Sequence, residues 1–479
     1  MSDHGTTPLV VIDVVGLTPR LLRHMPRLSA LAAAGFQAEL EPTVPAVTCS
    51  MQSTLLTGTP PRDHGSVANG WYFRELGEVH LWRQHNRLVG GEKVWETARR
   101  ALGGDPRGGD DTYTVANVCW WYAMGASADW TITPRPIYYA DGKKEPDCYT
   151  YPPALHEELT AELGGFPLFN YWGPTAGLAS TEWLVGAARA LLRDKRPDLT
   201  LVYLPHLDYD LQRYGPDDPR AARAAADLDQ AMAPLLMAAK ERGATTVALS
   251  EYGITPARRP VDVNRALRHA GLLEVYSQDE MEYLDPWTSR AFAVADHQIA
   301  HVYVREPEDL ARAREVLERL DGVDQVLDRR DQAEIGLDHA RSGELVVLAE
   351  REAWFTYYYW LDDHYAPDFA KLVEIHRKPG FDPAELFMDP DDPLVKVRAA
   401  TALARKKSGM RYTMNVIPLN GRQVRGTHGL TPPDPENGPV LLSDAPDAAV
   451  PRIHATDVKE LLLRLAGADV SSARKSERL

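Results

Sequence analysis

Pro8-Leu9-Val10-Val11-Ile12-Asp13-Val14-Val15-Gly16 is an unbroken β-branched run with one acidic residue near its end. A strand with one face in water alternates apolar and polar residues. This run does not, so it reads as a strand covered on both faces, as in a parallel sheet between helices. Working outward, Met25 to Ala34 reads as an amphipathic helix stopped by Gly35, and Phe36 to Leu40 as a short strand. The order strand, helix, strand, turn is that of a doubly wound α/β sheet. Ligands of such sheets bind at the C-terminal ends of the strands, where Asp13 falls. Asp13 also suits a cap on the following helix.

The next stretch is Pro45-Ala46-Val47-Thr48-Cys49-Ser50, running through Leu55-Leu56-Thr57-Gly58 and Asp63-His64-Gly65 to Asn69. It puts Thr48 on a Pro-bounded turn at the start of a helix, a place that favours anions. A threonine there is most often a plain N-cap. It becomes a nucleophile only if a base or a metal lowers the hydroxyl's pKa.

The strand-end pattern recurs twice. Leu199 to Leu204 is a buried strand leading into Pro205-His206-Leu207-Asp208, and Thr245 to Leu249 leads into Ser250-Glu251-Tyr252-Gly253. Helices Thr181 to Arg193 and Asp217 to Arg242 flank the first of these strands. Later come the Gly-flanked histidine of Arg425-Gly426-Thr427-His428-Gly429 and a terminal helix, Thr456 to Leu465. Asp13, Asp208, Glu251, Thr48 and His428 can gather into one metal site if the sheet places their strands side by side. A metal there would activate the threonine and neutralise a phosphate.

Other stretches read less sharply. Between Gly70 and Pro174, Lys93 to Ala101 is helical in pattern and Thr114 to Cys119 strand-like, while Asp129 to Tyr139 is strand broken by Pro134 and Pro136. Much of this Trp- and Tyr-rich region is expected to decorate the site. Trp71, Tyr72, Trp120, Trp121 and Tyr122 are candidates to stack on a substrate, with core packing the commoner role. His297 and His301 have metal-ligand spacing, but the alternation around them is that of a strand, in which residues four apart also share a face. The loop Glu374 to Asp382 carries His376, Arg377 and Lys378, which either hold an anion or form a surface turn held by Asp382.

Apolar content of 44% and charged content of 25% are those of an ordinary globular protein. The net charge of −15 argues against a nucleic-acid polymer as partner, because phosphate backbones need clustered Lys and Arg. Cys49, Cys119 and Cys148 show no paired spacing, which suggests reduced thiols. The first apolar run is too short for a signal or membrane segment, so no membrane partner and a cytoplasmic location are expected. The tail 471–479 is expected to be disordered.

In their order along the chain, Val10-Val11-Ile12-Asp13, Pro45-Ala46-Val47-Thr48, Leu56-Thr57-Gly58, Asp63-His64-Gly65, Asn69, Asp208 with Gly215-Pro216, Ser250 to Gly253, and Gly426-Thr427-His428-Gly429 resemble the alkaline phosphatase superfamily. The likeness is strongest to its type I phosphodiesterase/nucleotide pyrophosphatase branch, with phosphonoacetate hydrolase a near neighbour. It spans the chain, including Arg341-Ser342-Gly343-Glu344-Leu345-Val346-Val347 as a closing strand. The implied fold is a central, mostly parallel sheet flanked by helices with an inserted aromatic-rich region over the site. That corresponds to one catalytic domain over 1–470, with insertions at about 70–174 and 351–410.

The resemblance implies one or two divalent ions, usually zinc, and a phospho-threonine intermediate on Thr48. Asp13, Thr48, Glu251 and Tyr252 would hold one ion. Asp208, Gln212 and His428 would hold the other, with Asn69 donating to a phosphate oxygen. Three positions depart from the pattern: Gln212 stands for a usual His, and Glu251-Tyr252 for a usual Asp-His pair. Oxygen ligands shift preference from zinc toward manganese or magnesium. Any of His376, His297 and His301 can serve as a substitute ligand. The implied substrate is a small phosphorylated metabolite, cleaved at a phosphodiester or pyrophosphate bond. The alternatives are a monoester, phosphonate or sulfate hydrolase, and a silent phosphometabolite-binding protein.

Overall fold

Leu9–Val14 is buried at every residue and lies in the middle of a nine-stranded sheet. The computed structural model describes residues 6–109, 112–140 and 144–468; the tail 471–479 lies outside them. Across the sheet the strands run Arg452–His454, Phe36–Glu41, Val440–Ser443, Thr245–Leu249, Leu9–Val14, Leu199–Leu204, Val115–Val118, Trp130–Pro134 and Cys148–Tyr151. Only Val440–Ser443 and Cys148–Tyr151 run against the others. The sheet is therefore mostly parallel.

Its covering explains the sequence pattern. Helices Pro26–Ala34, Leu178–Asp194 and Pro219–Arg242 pack on one another and on the sheet, while Thr48–Thr57, Val94–Ala101 and Val458–Leu465 form a second packed group. Leu199–Leu204, like Leu9–Val14, is buried at every residue. Both strands are sandwiched, so neither has a solvent face to mark with polar residues.

Two features differ from the sequence reading. The stretch 70–174 supplies three strands of the central sheet, at Val115–Val118, Trp130–Pro134 and Cys148–Tyr151, so that part of it builds the scaffold rather than decorating it. The residues at Arg341 to Val347 do not close the central sheet. Leu345–Ala349 belongs to a second, four-stranded antiparallel sheet in the order Ala291–Asp296, Ile299–Val304, Leu345–Ala349, Val323–Leu327. This sheet has its own apolar cluster, including Val294, Val302, Val346, Phe355 and Tyr357. Among the described residues no helix is long and apolar enough to cross a membrane. Cys49, Cys119 and Cys148 are buried free thiols.

Candidate active site

Register on the central sheet brings the acidic residues together. Asp13 pairs across to Leu249 on one side and Tyr203 on the other, in strands parallel to its own. The chain leaving Leu249 reaches Glu251 two residues later. The chain leaving Leu204 turns into helix His206–Tyr214, whose first turn carries Asp208 and whose next turn carries Gln212. Three parallel strands thus deliver Asp13, Glu251 and Asp208 to the same end of the sheet.

Thr48 opens helix Thr48–Thr57. It is not the cap: Val47 holds that position, without a side-chain bond. The Thr48 hydroxyl lies 3.3 Å from the Tyr252 hydroxyl, and Tyr252 in turn donates to Asp208 Oδ1 over 3.4 Å. Gln212 Nε2 donates to the other oxygen of Asp208 at 2.8 Å. Asp13 Oδ2 accepts from Gln52 Nε2 at 3.2 Å, and Gln52 Oε1 accepts the Trp121 backbone N–H. Asp13 caps no helix; Thr18 caps the one that follows its strand. Gln52 is a site residue that sequence reasoning missed. It lies four residues after Thr48 on one helix, so the two share a face.

His428 is tied to the threonine turn. Its Nδ1 donates to the Ala46 carbonyl at 2.9 Å, and Ala46 N–H donates to Gly429 O, also at 2.9 Å. The glycines around it have steric reasons. A Cβ on Gly426 would lie 2.2 Å from the Leu211 carbonyl oxygen, and Gly429 has φ +122°. Asn69 is held tightly, its Oδ1 accepting Cys49 N–H at 2.9 Å and its Nδ2 donating to Asp296 Oδ1 at 3.1 Å.

Every one of these titratable groups is buried. Burial pushes the Asp13 carboxyl up to about 7 and Asp208 to about 6. Burial and the charge of Asp13 hold Glu251 well above the usual carboxylate range. Burial likewise pushes His428 and His297 well down, which makes both neutral imidazoles.

Oxygens without donors test whether this set suits a cation. Asp13 Oδ1, Gln212 Oε1 and both oxygens of Glu251 are buried without a hydrogen bond of ordinary geometry, although the Gln52 and Thr48 side chains lie close enough to Glu251 to act on its carboxyl. Buried lone pairs without donors are costly, and a divalent cation satisfies several at once. The set is mainly oxygen, which suits manganese or magnesium better than a nitrogen-rich set does. Among the described residues, the one cluster of three His, Cys, Asp or Glu residues with ligand atoms all within 4.8 Å of one another lies elsewhere, at Asp147, Cys148 and His156. The candidate centre therefore depends on Thr48 and Gln212 as well as on its acids and imidazole.

The remaining candidates separate clearly. His301 uses both ring nitrogens in the core, with Nε2 bonded to the Val67 carbonyl and Nδ1 accepting Gly343 N–H. His376 Nδ1 bonds the Leu81 carbonyl. The His297 ring instead lies against that of His428, with centroids 3.7 Å apart and planes inclined by 38°. Arg377 donates two hydrogen bonds to Asp368, and the fully buried Lys378 contacts Asp382 at 2.7 Å and Glu385 at 2.8 Å. The loop's cations are thus committed to its own neighbourhood, the surface-turn alternative in a buried form.

Of the aromatic candidates, Trp71, Trp120 and Tyr122 are buried, and Tyr72 packs edge-on against Phe292 and Tyr303. Trp121 alone is bonded into the site, through Gln52. The rings beside the histidines are others: Phe381 stacks on His297 at 3.8 Å and meets the half-buried Trp82 and Trp172.

Residues 9–382 match the family model described as type I phosphodiesterase/nucleotide pyrophosphatase. No curated protein matches the chain. Among solved structures, murine ectonucleotide pyrophosphatase/phosphodiesterase 5 matches with a TM-score of 0.57 at 13% identity, covering 96% of this chain and 95% of that one. An inactive form of the same murine protein in complex with AMP matches with 0.57 at 14%, over the same shares. Phosphonoacetate hydrolase from Sinorhizobium meliloti, in complex with phosphonoformate, matches with 0.59 at 16%, covering 96% of each chain. At these identities the structural likeness is one of fold.

Proposed function

The chain belongs to the type I phosphodiesterase/nucleotide pyrophosphatase family, and from that premise we propose that it hydrolyses a phosphodiester or pyrophosphate bond of a small metabolite, nucleotide or nucleotide-sugar in kind, with Thr48 as nucleophile. The family comprises phosphoric ester hydrolases that are in general dependent on divalent metal, typically zinc. The observation that carries this reading is the convergence of the Thr48 hydroxyl with Asp13, Glu251 and Asp208 at the C-terminal ends of three adjacent parallel strands.

Asp13, Glu251 and Thr48 would hold one ion, and Asp208, Gln212 and His428 a second. Tyr252, in the place of a usual ligand, bonds Thr48 and Asp208 instead. With a divalent ion bound at these residues, the hydroxyl's pKa would fall and phosphate charge would be offset. The chain's own groups position the reactants. Thr48 sits at a helix start whose first N–H groups favour an anion. The Tyr252 hydroxyl fixes the direction of Thr48 Oγ1 and is a donor for phosphate oxygen or the acceptor of the threonine proton's hydrogen bond. Asn69, clamped between Cys49 N–H and Asp296, has a second amide proton to give a substrate oxygen.

A diester or pyrophosphate is favoured over a monoester by charge. A monoester brings additional negative oxygen, and the cations nearest in sequence expectation, Arg377 and Lys378, are paired with Asp368, Asp382 and Glu385.

The test is hydrolysis of bis-p-nitrophenyl phosphate and p-nitrophenyl phosphate with zinc, manganese or magnesium, for wild type and Thr48→Ala, alongside metal content of protein purified without chelator. Diester turnover that needs a cation and disappears in Thr48→Ala is expected. The fold should survive, because Thr48→Ala removes only a small side chain whose hydroxyl bonds Tyr252. Absence of turnover with every cation would sink the reading.

A further inference from the structure

The turn that joins strands Ala291–Asp296 and Ile299–Val304 reaches from the second sheet into the site on the first. Gln298 N–H donates to the His428 carbonyl at 3.1 Å, and Phe355 N–H donates to the His297 carbonyl at 2.7 Å. His297 occupies this turn with φ +57°, a left-handed conformation that costs a β-carbon-bearing residue energy and that glycine or asparagine would adopt more readily. A fully buried histidine in such a position points to a use for its side chain.

Its hydrogen bonding defines that use. Nδ1 lies 2.7 Å from Asp296 Oδ1, so the carboxylate holds the proton on Nδ1 and leaves the lone pair on Nε2. Nε2 is buried and without a partner. His428 has its Nδ1 engaged by a carbonyl, and its ring lies against that of His297 with the planes inclined by 38°. Phe381 covers the other face of His297. A carboxylate or carbonyl on one nitrogen, with the second nitrogen free as a lone pair, is the arrangement in which metal-binding histidines are held.

The surroundings favour a cation over a water or a proton donor. Like Asp13 Oδ1, Gln212 Oε1 and the two Glu251 oxygens, His297 Nε2 is buried, offers a lone pair and forms no hydrogen bond of ordinary geometry. A water brings two protons. A divalent ion accepts several lone pairs together.

We propose that His297 is a metal ligand of this centre through Nε2, a second imidazole beside His428 that supplies the nitrogen absent at Gln212 and Tyr252. Asp296 is then a positioning residue with two tasks, orienting His297 and clamping Asn69. The inference rests on the metal-dependent reading above and selects one of three histidines, since both ring nitrogens of His301 are engaged and, among the described residues, His297 is the one of the three whose ring lies against His428.

The experiment titrates zinc and manganese into chelator-treated full-length protein by calorimetry, for wild type, His297→Ala, His297→Gln and His301→Gln. The electronic spectrum of the cobalt-loaded forms is recorded in parallel. His297→Ala is expected to lose about 10- to 100-fold or more in affinity and to change the cobalt spectrum, with partial recovery in His297→Gln and no loss in His301→Gln. If the variants fail to fold, nitrogen NMR of histidine-labelled wild type decides: the Nε2 resonances of His297 and His428 should both move on adding zinc. Wild type that takes up metal while His297 leaves affinity, spectrum and resonance untouched overturns this inference alone. Wild type that takes up no metal overturns it together with the metal-dependent reading.

Discussion

The rings of Tyr252 and His428 lie face to face, 3.5 Å between centroids and 5° from parallel. Tyr252 therefore has two jobs that substitution can separate: it supports the imidazole, and its hydroxyl bridges Thr48 and Asp208. Tyr252→Phe keeps the support and removes the bridge. Hydrogen bonds to charged groups are worth about 1.5–3 kcal/mol, so turnover should fall about 10- to 100-fold. Tyr252→Ala also leaves a cavity beneath His428 and should cost about 3–5 kcal/mol of stability. Steady-state rates and denaturant melts of the two variants check this; wild-type rates in Tyr252→Phe would remove the hydroxyl from the chemistry.

Gly426 is the point where the His428 loop meets the helix of Asp208 and Gln212. Arg425 N–H donates to the Gln212 carbonyl at 2.8 Å, and any β-carbon at 426 would collide with the Leu211 carbonyl. Gly426→Ala must push loop and helix apart. Overpacking of this kind costs about 1–3 kcal/mol, and because both sides carry site residues, activity should drop more than thermal stability suggests. A variant with a lowered melting temperature but unaltered turnover at low temperature would show that the spacing is not needed.

What the sequence made legible follows from where each signal is stored. Asp13, Asp208 and Glu251 stood out because each lies at, or within a few residues beyond, the C-terminal end of a buried and mostly apolar strand. His428 stood out because backbone crowding at Gly426 and the left-handed Gly429 required glycines beside it. Gln52 carried a usable signal, the four-residue spacing from Thr48, but a polar side chain inside a short helix resembles many others. His297 was visible only as one of three substitute candidates. Alternation indicated the strand after it, but the turn it occupies between Ala291–Asp296 and Ile299–Val304 acquires its meaning only when the second sheet docks on the first. The aromatic residues were ambiguous for a related reason: composition shows that rings are present and that most of them pack in the core, while the choice of Phe381, Trp82 and Trp172 as the rings beside the histidines is made by tertiary packing.

Lys378 is a fully buried cation, its ammonium lying between Asp382 and Glu385, with Trp172 Nε1 donating to Glu385 at 2.6 Å. Replacing it by methionine keeps much of the volume and leaves two carboxylates buried together. Breaking such a cluster costs about 3–5 kcal/mol. The loss should be local to the loop that holds Phe381 and Trp172, so binding of substrate should weaken while metal content stays unchanged. Denaturant melts, KM and metal analysis on Lys378→Met read these three effects; a change in metal content would place Lys378 nearer the chemistry than its contacts do.

Asp13 and Asp208 give the ion-free protein a pH dependence of definite sign. Burial holds their carboxyls at about 7 and about 6, above the value near 4 expected in the unfolded chain. Between about pH 4 and pH 7 the folded state therefore binds more protons than the unfolded state. The contribution of these groups is fully present below about pH 4 and is lost as pH rises through the folded values, so chelator-treated protein should lose stability across that window. A cation competes for the same sites, so its affinity should rise across the same window. Asp13→Asn removes one titrating charge. With chelator at about pH 8 the variant should be more stable than wild type, by on the order of 1–3 kcal/mol, and its stability should depend less on pH. With saturating cation the order should reverse, because wild type then gains binding energy that Asn supplies poorly. Denaturant melts at several pH values, with chelator and with manganese, test both halves. An Asp13→Asn variant that tracks wild type at every pH would mean that Asp13 titrates as an ordinary exposed carboxylate and that its burial beside Glu251 has no energetic consequence.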